Sequence, residues 1–115
     1  KENENTNLSG SIKIMKIENF INKNYMKDIT LRDMADCLHL GEKQTNRILR
    51  KLTSLSFREL LSKRRLERAR ELVVNSEIPI NEIAAQIGYN SYNGFYTAFK
   101  NTFKVSPQSL RDSVE

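Results

Sequence analysis

An internal repeat constrains the fold of this chain more than any other feature of its sequence. The residues that recur 49 positions later are Leu31, Met34, Ala35, Leu38 and Leu40, matched by Ile80, Ile83, Ala84, Ile87 and Tyr89. Those that recur 50 positions later are Thr45, Ile48 and Leu49, matched by Phe95, Ala98 and Phe99. The spacing within each copy is helical. The sequence therefore predicts two copies of one helical unit, with one additional residue in the turn of the second copy.

Capping and breaking residues predict where the helices begin and end. Thr30, Ser56 and Ser91 are predicted N-caps, Ser106-Pro107 is expected to open the last helix, and Asp33 stands where a capping box places its acidic residue. Gly41 and Gly88 mark the turn in each copy. Helices are expected over 12–24, 31–38, 42–52, 56–75, 80–87, 91–103 and about 107–112, and no strand pattern is evident. Each copy then reads as a helix-turn-helix: a short helix, a tight turn and a polar second helix.

These elements predict an all-α chain with two helix-turn-helix subdomains joined by a long central helix. The expected divisions are a flexible linker remnant over 1–11, a first subdomain over 12–55, a connecting helix over 56–76 and a second subdomain over 77–115. A helix of 20 residues is about 30 Å long at ~1.5 Å per residue, close to the ~34 Å between successive major grooves on one face of DNA. The connecting helix is therefore long enough to set the spacing between the two helix-turn-helix units.

The composition excludes several classes of function. The chain has 115 residues, of which 38% are hydrophobic, enough for one small core without metal or disulfide staples. No apolar run is long enough to span a bilayer and no signal peptide pattern is present, so a cytoplasmic protein is expected. Cys37, expected to be partly buried, and His39 cannot assemble a metal site. We find no phosphate loop, nucleophile elbow or paired carboxylates, and we predict no cofactor, no metal and no enzymatic activity.

Positive charge is concentrated in the middle of the chain. The net charge is +5, but the segment 43–70 holds ten basic and two acidic residues, a local charge of +8 that leaves −3 for the rest. For an isolated helix, such a pattern indicates a solvated face with Glu–Lys pairs such as Glu59 and Lys63. Beside two helix-turn-helix units, it favours a surface that faces phosphates. Double-stranded DNA is therefore the expected partner.

The second helix of each copy offers different chemistry to base edges. In the first copy the outward residues include Lys43, Asn46 and Arg47; arginine can form a bidentate contact with guanine, and asparagine with adenine. In the second copy the outward residues are Tyr92, Asn93, Tyr96 and Thr97, which suit thymine methyl groups and a few hydrogen bonds. Semi-exposed packing against the turn is an alternative role for the two tyrosines. We expect the first copy to supply most of the sequence specificity.

The pattern of the second copy resembles the signature of the AraC/XylS transcriptional regulators. The matching residues are Ile83-Ala84-Ala85-Gln86-Ile87-Gly88-Tyr89, Phe95, Phe99-Lys100 and Ser106-Pro107, with Asn46-Arg47, Ser56-Phe57, Arg65 and Ala69 upstream. The resemblance implies a seven-helix bacterial DNA-binding domain whose two recognition helices enter adjacent major grooves. In the family, this domain is usually C-terminal and tied to a ligand-binding or receiver domain.

The resemblance also implies roles for individual residues. The base-contacting candidates are Lys43, Asn46, Arg47, Tyr92, Asn93, Tyr96 and Thr97. The candidates for contact with the DNA backbone are Thr30, Arg50, Lys51, Lys100 and Asn101. Ser54 and Lys104 stand where the family favours glycine, at a cost of about 1 kcal/mol each if the backbone has positive φ there. Thr97 stands where arginine is common, which weakens guanine reading by the second copy.

Three hypotheses about function follow. In the first, the chain is a monomeric, sequence-specific DNA-binding domain, with RNA polymerase as a partner of the full-length regulator. In the second, it is a basic helical module that binds an acidic protein. In the third, only the first copy reads bases and the second holds phosphates.

Overall fold

The computed structural model describes residues 2–114, with side chains from residue 10 onward, and seven α-helices make up its regular structure. They are α1 (Glu2–Asn24), α2 (Leu31–Leu38), α3 (Glu42–Thr53), α4 (Phe57–Asn75), α5 (Ile80–Gln86), α6 (Tyr92–Phe103) and α7 (Pro107–Ser113). No strand occurs among residues 2–114. The prediction of an all-α chain with seven helices is confirmed.

The first helix is longer than predicted. We expected a helix from Ile12 and a flexible linker over 1–11, but α1 is helical from Glu2, so that expectation is wrong from residue 2 onward; residue 1 lies outside the described residues. The polar composition of this segment shows only that it has no apolar face to bury. It does not prevent helix, because extending an existing helix adds a hydrogen bond per residue without the cost of a new nucleus.

The chain divides into two compact units whose borders differ from the predicted subdomains. Unit 1 comprises the chain up to Asn24 together with Ile29–Leu61, and unit 2 comprises Tyr25–Asp28 together with the chain from Ser62 onward. Helix α4 is therefore shared between the two units. Tyr25–Asp28, which make up most of the loop between α1 and α2, belong to unit 2, although both of these helices belong to unit 1.

The repeat seen in the sequence is a repeat of structure. Helices α3 and α6 each have 12 residues and start 50 positions apart. The buried residues of α2 are Met34, Ala35 and Leu38, and their counterparts Ile83, Ala84 and Ile87 are buried as well. Thr45 and Leu49 of α3 are buried in the same way as Phe95 and Phe99 of α6. Each copy thus buries equivalent faces of its two helices.

The turn between the two helices of each copy is also built alike. Leu40 N–H donates to the carbonyl of Ala35, and Tyr89 N–H donates to that of Ala84, both at 3.0 Å. The left-handed residue in this turn is His39 in unit 1 (φ 59°) and Gly88 in unit 2 (φ 103°). Gly41, which the sequence marks as the turn, instead caps α3 with an ordinary φ of −76°. A histidine can take the left-handed position because His tolerates this region better than most residues.

The two copies also have equivalent helix ends, at positions where their residues do not match in the sequence repeat. Ser54 ends α3 with φ 64°, and Lys104, 50 positions later, ends α6 with φ 65°. Ser56 then caps α4, its hydroxyl accepting from Glu59 N–H at 3.1 Å. Ser106 caps α7 in the same way through Ser109 N–H, also at 3.1 Å. The serine N-caps at 56, 91 and 106 are confirmed, and the positive φ at Ser54 and Lys104 is the condition under which each carries a cost of about 1 kcal/mol.

An aromatic row forms much of the core of unit 2. The ring centroids of Phe95 and Phe99 lie 5.6 Å apart and those of Phe99 and Phe103 lie 4.7 Å apart, while Tyr89 meets Phe95 edge-on at 5.7 Å. Unit 1 has aliphatic and small residues at the equivalent places, including Leu49 and the fully buried Thr45. Cys37, expected to be partly buried, is exposed, because α2 buries only Met34, Ala35 and Leu38.

Candidate nucleic-acid interface

Helix α3 exposes a continuous polar face. It begins after Gly41, which has no side chain to cap it, and buries Thr45 and Leu49. With 3.6 residues per turn, the opposite side then carries side chains spaced three and four residues apart. All of the following are exposed: Lys43, Asn46, Arg47, Arg50 and Lys51. The structure therefore brings every candidate predicted on this helix to its solvent side.

Sequence reasoning passed over one exposed side chain in the first turn of this helix. Gln44 lies one residue after Lys43 and is exposed. Recognition helices contact base edges mainly through their N-terminal residues, and glutamine can form a bidentate pair with adenine. The sequence signal that identifies Gln44 as a candidate is its amide side chain in the first turn of the predicted helix.

Helix α6 exposes aromatic and small polar side chains instead. Ser91 caps it, accepting from Gly94 N–H at 3.1 Å, and Phe95 and Phe99 are buried. The candidates exposed on its outer side are Tyr92, Asn93, Thr97, Lys100 and Asn101, while Tyr96 is half-buried. Only Lys100 is charged in this helix, whereas α3 carries four basic residues. The two faces therefore differ strongly in electrostatic character.

The two tyrosines of α6 pack on neighbouring side chains while they remain accessible. The ring centroids of Tyr92 and Tyr96 lie 6.1 Å apart, and that of Tyr92 lies 6.3 Å from Phe95. Lys100 Nζ lies 5.9 Å from the centre of the Tyr96 ring. Tyr92 nevertheless keeps 43% of its surface exposed. Packing within the helix orients these rings and leaves Tyr92 able to contact an outside partner.

Thr30 holds the N-terminus of α2 and is fully engaged in a capping box. Its hydroxyl accepts from Asp33 N–H at 3.2 Å, and its own N–H donates to the Asp33 carboxylate at 2.9 Å. The capping box predicted from the sequence is confirmed. Because a carboxylate already occupies the positive end of α2, a DNA phosphate approaching Thr30 meets local negative charge.

Several arginines of the basic segment 43–70 contact backbone carbonyls and aromatic rings within unit 2. Arg65 donates to the backbone carbonyls of Tyr25 and Lys27. The guanidinium of Arg64 lies 4.7 Å from the Tyr25 ring centre, and that of Arg70 lies 5.0 Å from the Phe103 ring centre. Burial lowers the pKa of Arg65 from its ordinary value. The interpretation of the whole segment 43–70 as a phosphate-facing surface is therefore too broad, because local sequence does not show which arginines reach distant carbonyls and rings.

The comparison with protein families agrees with the repeated geometry. A family described as "Helix-turn-helix domain" matches residues 34–113, which include α3, α6 and the turns of both copies. The chain belongs to the AraC/XylS family of helix-turn-helix domains. A helix-turn-helix domain of the AraC type binds DNA, and that is the activity of this chain. The family is one of transcription regulators.

Individual relatives place this AraC-type domain among bacterial regulators. The Msm operon regulatory protein of Streptococcus mutans is 30% identical over 112 residues, which are 97% of this chain and 40% of that protein. The chain thus spans well under half the length of this curated relative. The solved C-terminal domain of AraT, a response regulator of Geobacillus stearothermophilus, is 34% identical with a TM-score of 0.82, covering 88% of this chain and 84% of that one.

A more distant structure shares the fold of the AraC-type domain. A transcriptional regulator of Chromobacterium violaceum with an AraC-type DNA-binding domain superposes with a TM-score of 0.85 at 20% identity, over 93% of this chain and 96% of that one.

Among residues 2–114 we find no group of three or more His, Cys, Asp or Glu that could hold a metal ion. None of the described helices is long and apolar enough to cross a membrane.

Proposed function

We propose that this domain reads a specific sequence of double-stranded DNA as a monomer, with α3 and α6 in successive major grooves. The observation that carries the proposal is the duplicated helix-turn-helix, in which α3 and α6 have equal length, equivalent buried faces and opposite faces open to solvent. The 19 residues of α4 correspond to about 28 Å at ~1.5 Å per residue. This length is close to the rise of one turn of DNA.

The two helices have different tasks in this proposal. On α3, Arg47 binds guanine, Asn46 binds adenine, and Lys43 contacts a neighbouring base, each good pair being worth about 1–3 kcal/mol of discrimination. On α6 the base contacts are mainly apolar, and they are made by Tyr92, Asn93, Tyr96 and Thr97. The phosphate contacts come from Arg50, Lys51, Lys100 and Asn101, and Thr30, which lies beside the Asp33 carboxylate, contributes least.

The domain acts, in our proposal, as part of a longer bacterial transcription regulator in the cytoplasm. The share of the Msm operon regulatory protein that it covers, 40%, supports a role as one domain of such a protein. RNA polymerase is the partner that a DNA-bound regulator of this kind acts on. The domain itself requires no cofactor and has no enzymatic role.

Selection of duplexes from a random pool, followed by titration against salt, tests this function. We expect one sequence of about two helical turns to be enriched. Affinity for every duplex should fall steeply with salt because bound phosphates release counterions. For the three cationic phosphate contacts, Arg50, Lys51 and Lys100, the expected loss is about fortyfold between 50 and 200 mM salt.

The alternative function is that of a basic module that binds an acidic protein. It predicts weak binding to all duplexes, no enriched sequence, and no difference between the selected duplex and a scrambled duplex of the same composition at any salt concentration. That result would exclude sequence reading. A selected duplex that keeps its preference over the scrambled one at 200 mM salt would exclude the alternative.

A further inference from the structure

The loop Tyr25–Asp28 has an unusual place in the fold. It is covalently continuous with α1 and α2 of unit 1 at both ends, yet it belongs to unit 2. The chain therefore passes between the units at three points, after Asn24, after Asp28 and after Leu61. Only the last of these passages is made by continuous helix. The other two depend on whatever holds the loop in unit 2.

Arg65 of α4 makes the polar contacts that hold this loop. Its Nε donates to the carbonyl of Tyr25 at 2.6 Å, and its Nη2 donates to that of Lys27 at 2.8 Å. The planar guanidinium offers donors in a fixed fork, so one side chain can satisfy two carbonyls at once. A lysine in its place would supply a single flexible point charge.

Other residues of unit 2 pack closely around the contact between Arg65 and the loop. A β-carbon on Gly88 would lie 2.9 Å from the Tyr25 carbonyl oxygen and 3.0 Å from the Arg65 guanidinium. The guanidinium carbon of Arg65 lies 5.7 Å from the centre of the Tyr89 ring. Arg64 covers the ring of Tyr25, and Tyr25 itself is buried. The turn of the second helix-turn-helix thus closes over the arginine and the loop together; we call Arg65 and the loop Tyr25–Asp28 the loop anchor.

We propose that Arg65 is a positioning residue for two-site DNA reading: it keeps the loop in unit 2 and thereby stiffens the connection between the two recognition helices. This inference rests on the proposed function. When two binding modules are linked, the second binds at an effective concentration set by the length and stiffness of the link. Without the loop anchor, the chain is held between the units by the continuous helix α4 alone among its three passages, and the gain from binding both sites falls.

Arg111 provides a matched control within the same unit. It also donates to two backbone carbonyls, with Nε to Val73 at 3.0 Å and Nη2 to Leu72 at 3.4 Å. All three residues belong to unit 2, so this contact ties α7 to α4 without involving a passage to unit 1. Arg111→Gln therefore removes the same kind of contact and the same charge as Arg65→Gln but leaves the loop anchor intact.

The experiment compares two duplexes obtained from the random-pool selection. One is the full selected duplex, and the other keeps the half-site read by α3 while the other half is scrambled. We expect Arg65→Gln to lower affinity for the full duplex about tenfold or more and to change affinity for the half-site duplex less than about twofold. Arg111→Gln should leave the ratio of the two affinities unchanged. Arg65→Lys should give an intermediate loss and serves as the test if Arg65→Gln does not fold.

Amide ¹⁵N relaxation of the free protein gives a second readout that loss of stability alone does not move. In the native protein we expect the amides of Tyr25–Asp28 to be as rigid as those of α4, and in Arg65→Gln to be more mobile than those of α4. Equal losses on both duplexes, or loop amides that stay as rigid as those of α4 in Arg65→Gln, would overturn the role of Arg65. If the native protein itself shows no preference for the selected duplex, the proposed function fails instead, and the two failures are distinguishable.

Discussion

Arg47 on α3 and Thr97 on α6 occupy equivalent positions, 50 residues apart, and both are exposed. They offer DNA different chemistry. The guanidinium can donate two hydrogen bonds to guanine, whereas threonine contributes one hydroxyl and a methyl group. The duplicated backbone therefore does not imply duplicated reading, and we expect most of the discrimination to come from unit 1.

Substitution at Arg47 and Tyr96 tests this division of tasks. We expect Arg47→Ala to cost about 1–3 kcal/mol on the selected duplex and to cost much less on duplexes in which its guanine is replaced, so that specificity at one base pair is relaxed. If α6 only holds phosphates, Tyr96→Ala weakens all duplexes alike. If α6 reads thymine methyls, its effect is confined to one base pair.

Arg58→Ala is the control for charge, because it removes one positive charge from an exposed position on α4. Binding constants for a set of single-base variants of the selected duplex provide the measurement. Uniform weakening of every variant by Arg47→Ala, as for a simple loss of charge, would contradict base reading by Arg47.

Ser54 and Lys104 strain the backbone at the ends of α3 and α6. Both have a left-handed φ, of 64° and 65°, which glycine adopts without the steric penalty of a β-carbon. We expect Ser54→Gly and Lys104→Gly each to raise the free energy of unfolding by about 0.5–1 kcal/mol. Urea unfolding monitored by circular dichroism measures this difference.

The opposite substitution provides the control for these two variants. Gly88→Ala places a β-carbon at a φ of 103° and against the Tyr25 carbonyl, so it should destabilise the protein by more than 1 kcal/mol, as an estimate for a residue forced into strained backbone. A loss of stability in both Ser54→Gly and Lys104→Gly would show that these residues make contacts worth more than the backbone strain.

At the scale of the element, helix ends were the best predicted feature of the fold. Thr30, Ser56, Ser91 and Ser106 each cap a helix, as side chains of this type are expected to do. Local chemistry decides these boundaries, because a cap satisfies N–H groups only two or three residues away. The start of α1 and the left-handed His39 were missed. The start of α1 and the φ of His39 are not set by a capping side chain, so the cap residues in the sequence do not predict them.

The capping box of α4 makes stability depend on pH. Ser56 N–H donates to the Glu59 carboxylate at 2.9 Å. The hydrogen bonds from the Ser56 backbone and hydroxyl, with the charge of Arg50, lower the pKa of Glu59 below its ordinary value of 4.5. Because the pKa is lower in the folded state, the contribution is complete above about pH 4.5 and is lost as the pH falls through the folded value.

We expect Glu59→Gln to be less stable than the native protein at pH 7 and the difference between them to shrink as the pH falls below 4.5. Unfolding by urea at a series of pH values between 7 and 3 measures it. Glu67→Gln, further along α4 and outside its first turn, is the control for loss of a negative charge. A difference that stays constant over this range would show that the ionised carboxylate does not stabilise the helix end.

At the scale of the whole molecule, the sequence predicted the repeat and the helices but not the borders of the compact units. The outward residues of α3 and α6 were predicted because helical spacing fixes which side chains lie opposite Leu49 and Phe99. The division of the basic segment was not, since Arg65 and its carbonyl partners are 40 and 38 residues apart in the chain. Contacts at such separation leave no periodic signal.

The place of Tyr25–Asp28 has a consequence for how such a protein can be shortened. Because unit 2 takes four of its residues from between α1 and α2, neither half of the molecule is one uninterrupted stretch of sequence. A fragment that ended at Leu61 would lack Arg65. A fragment that began at Ser62 would lack Tyr25–Asp28, the segment to which Arg65 donates its hydrogen bonds. We therefore expect a reader of one groove, made by truncation at this point, to be less stable than the same unit within the whole chain.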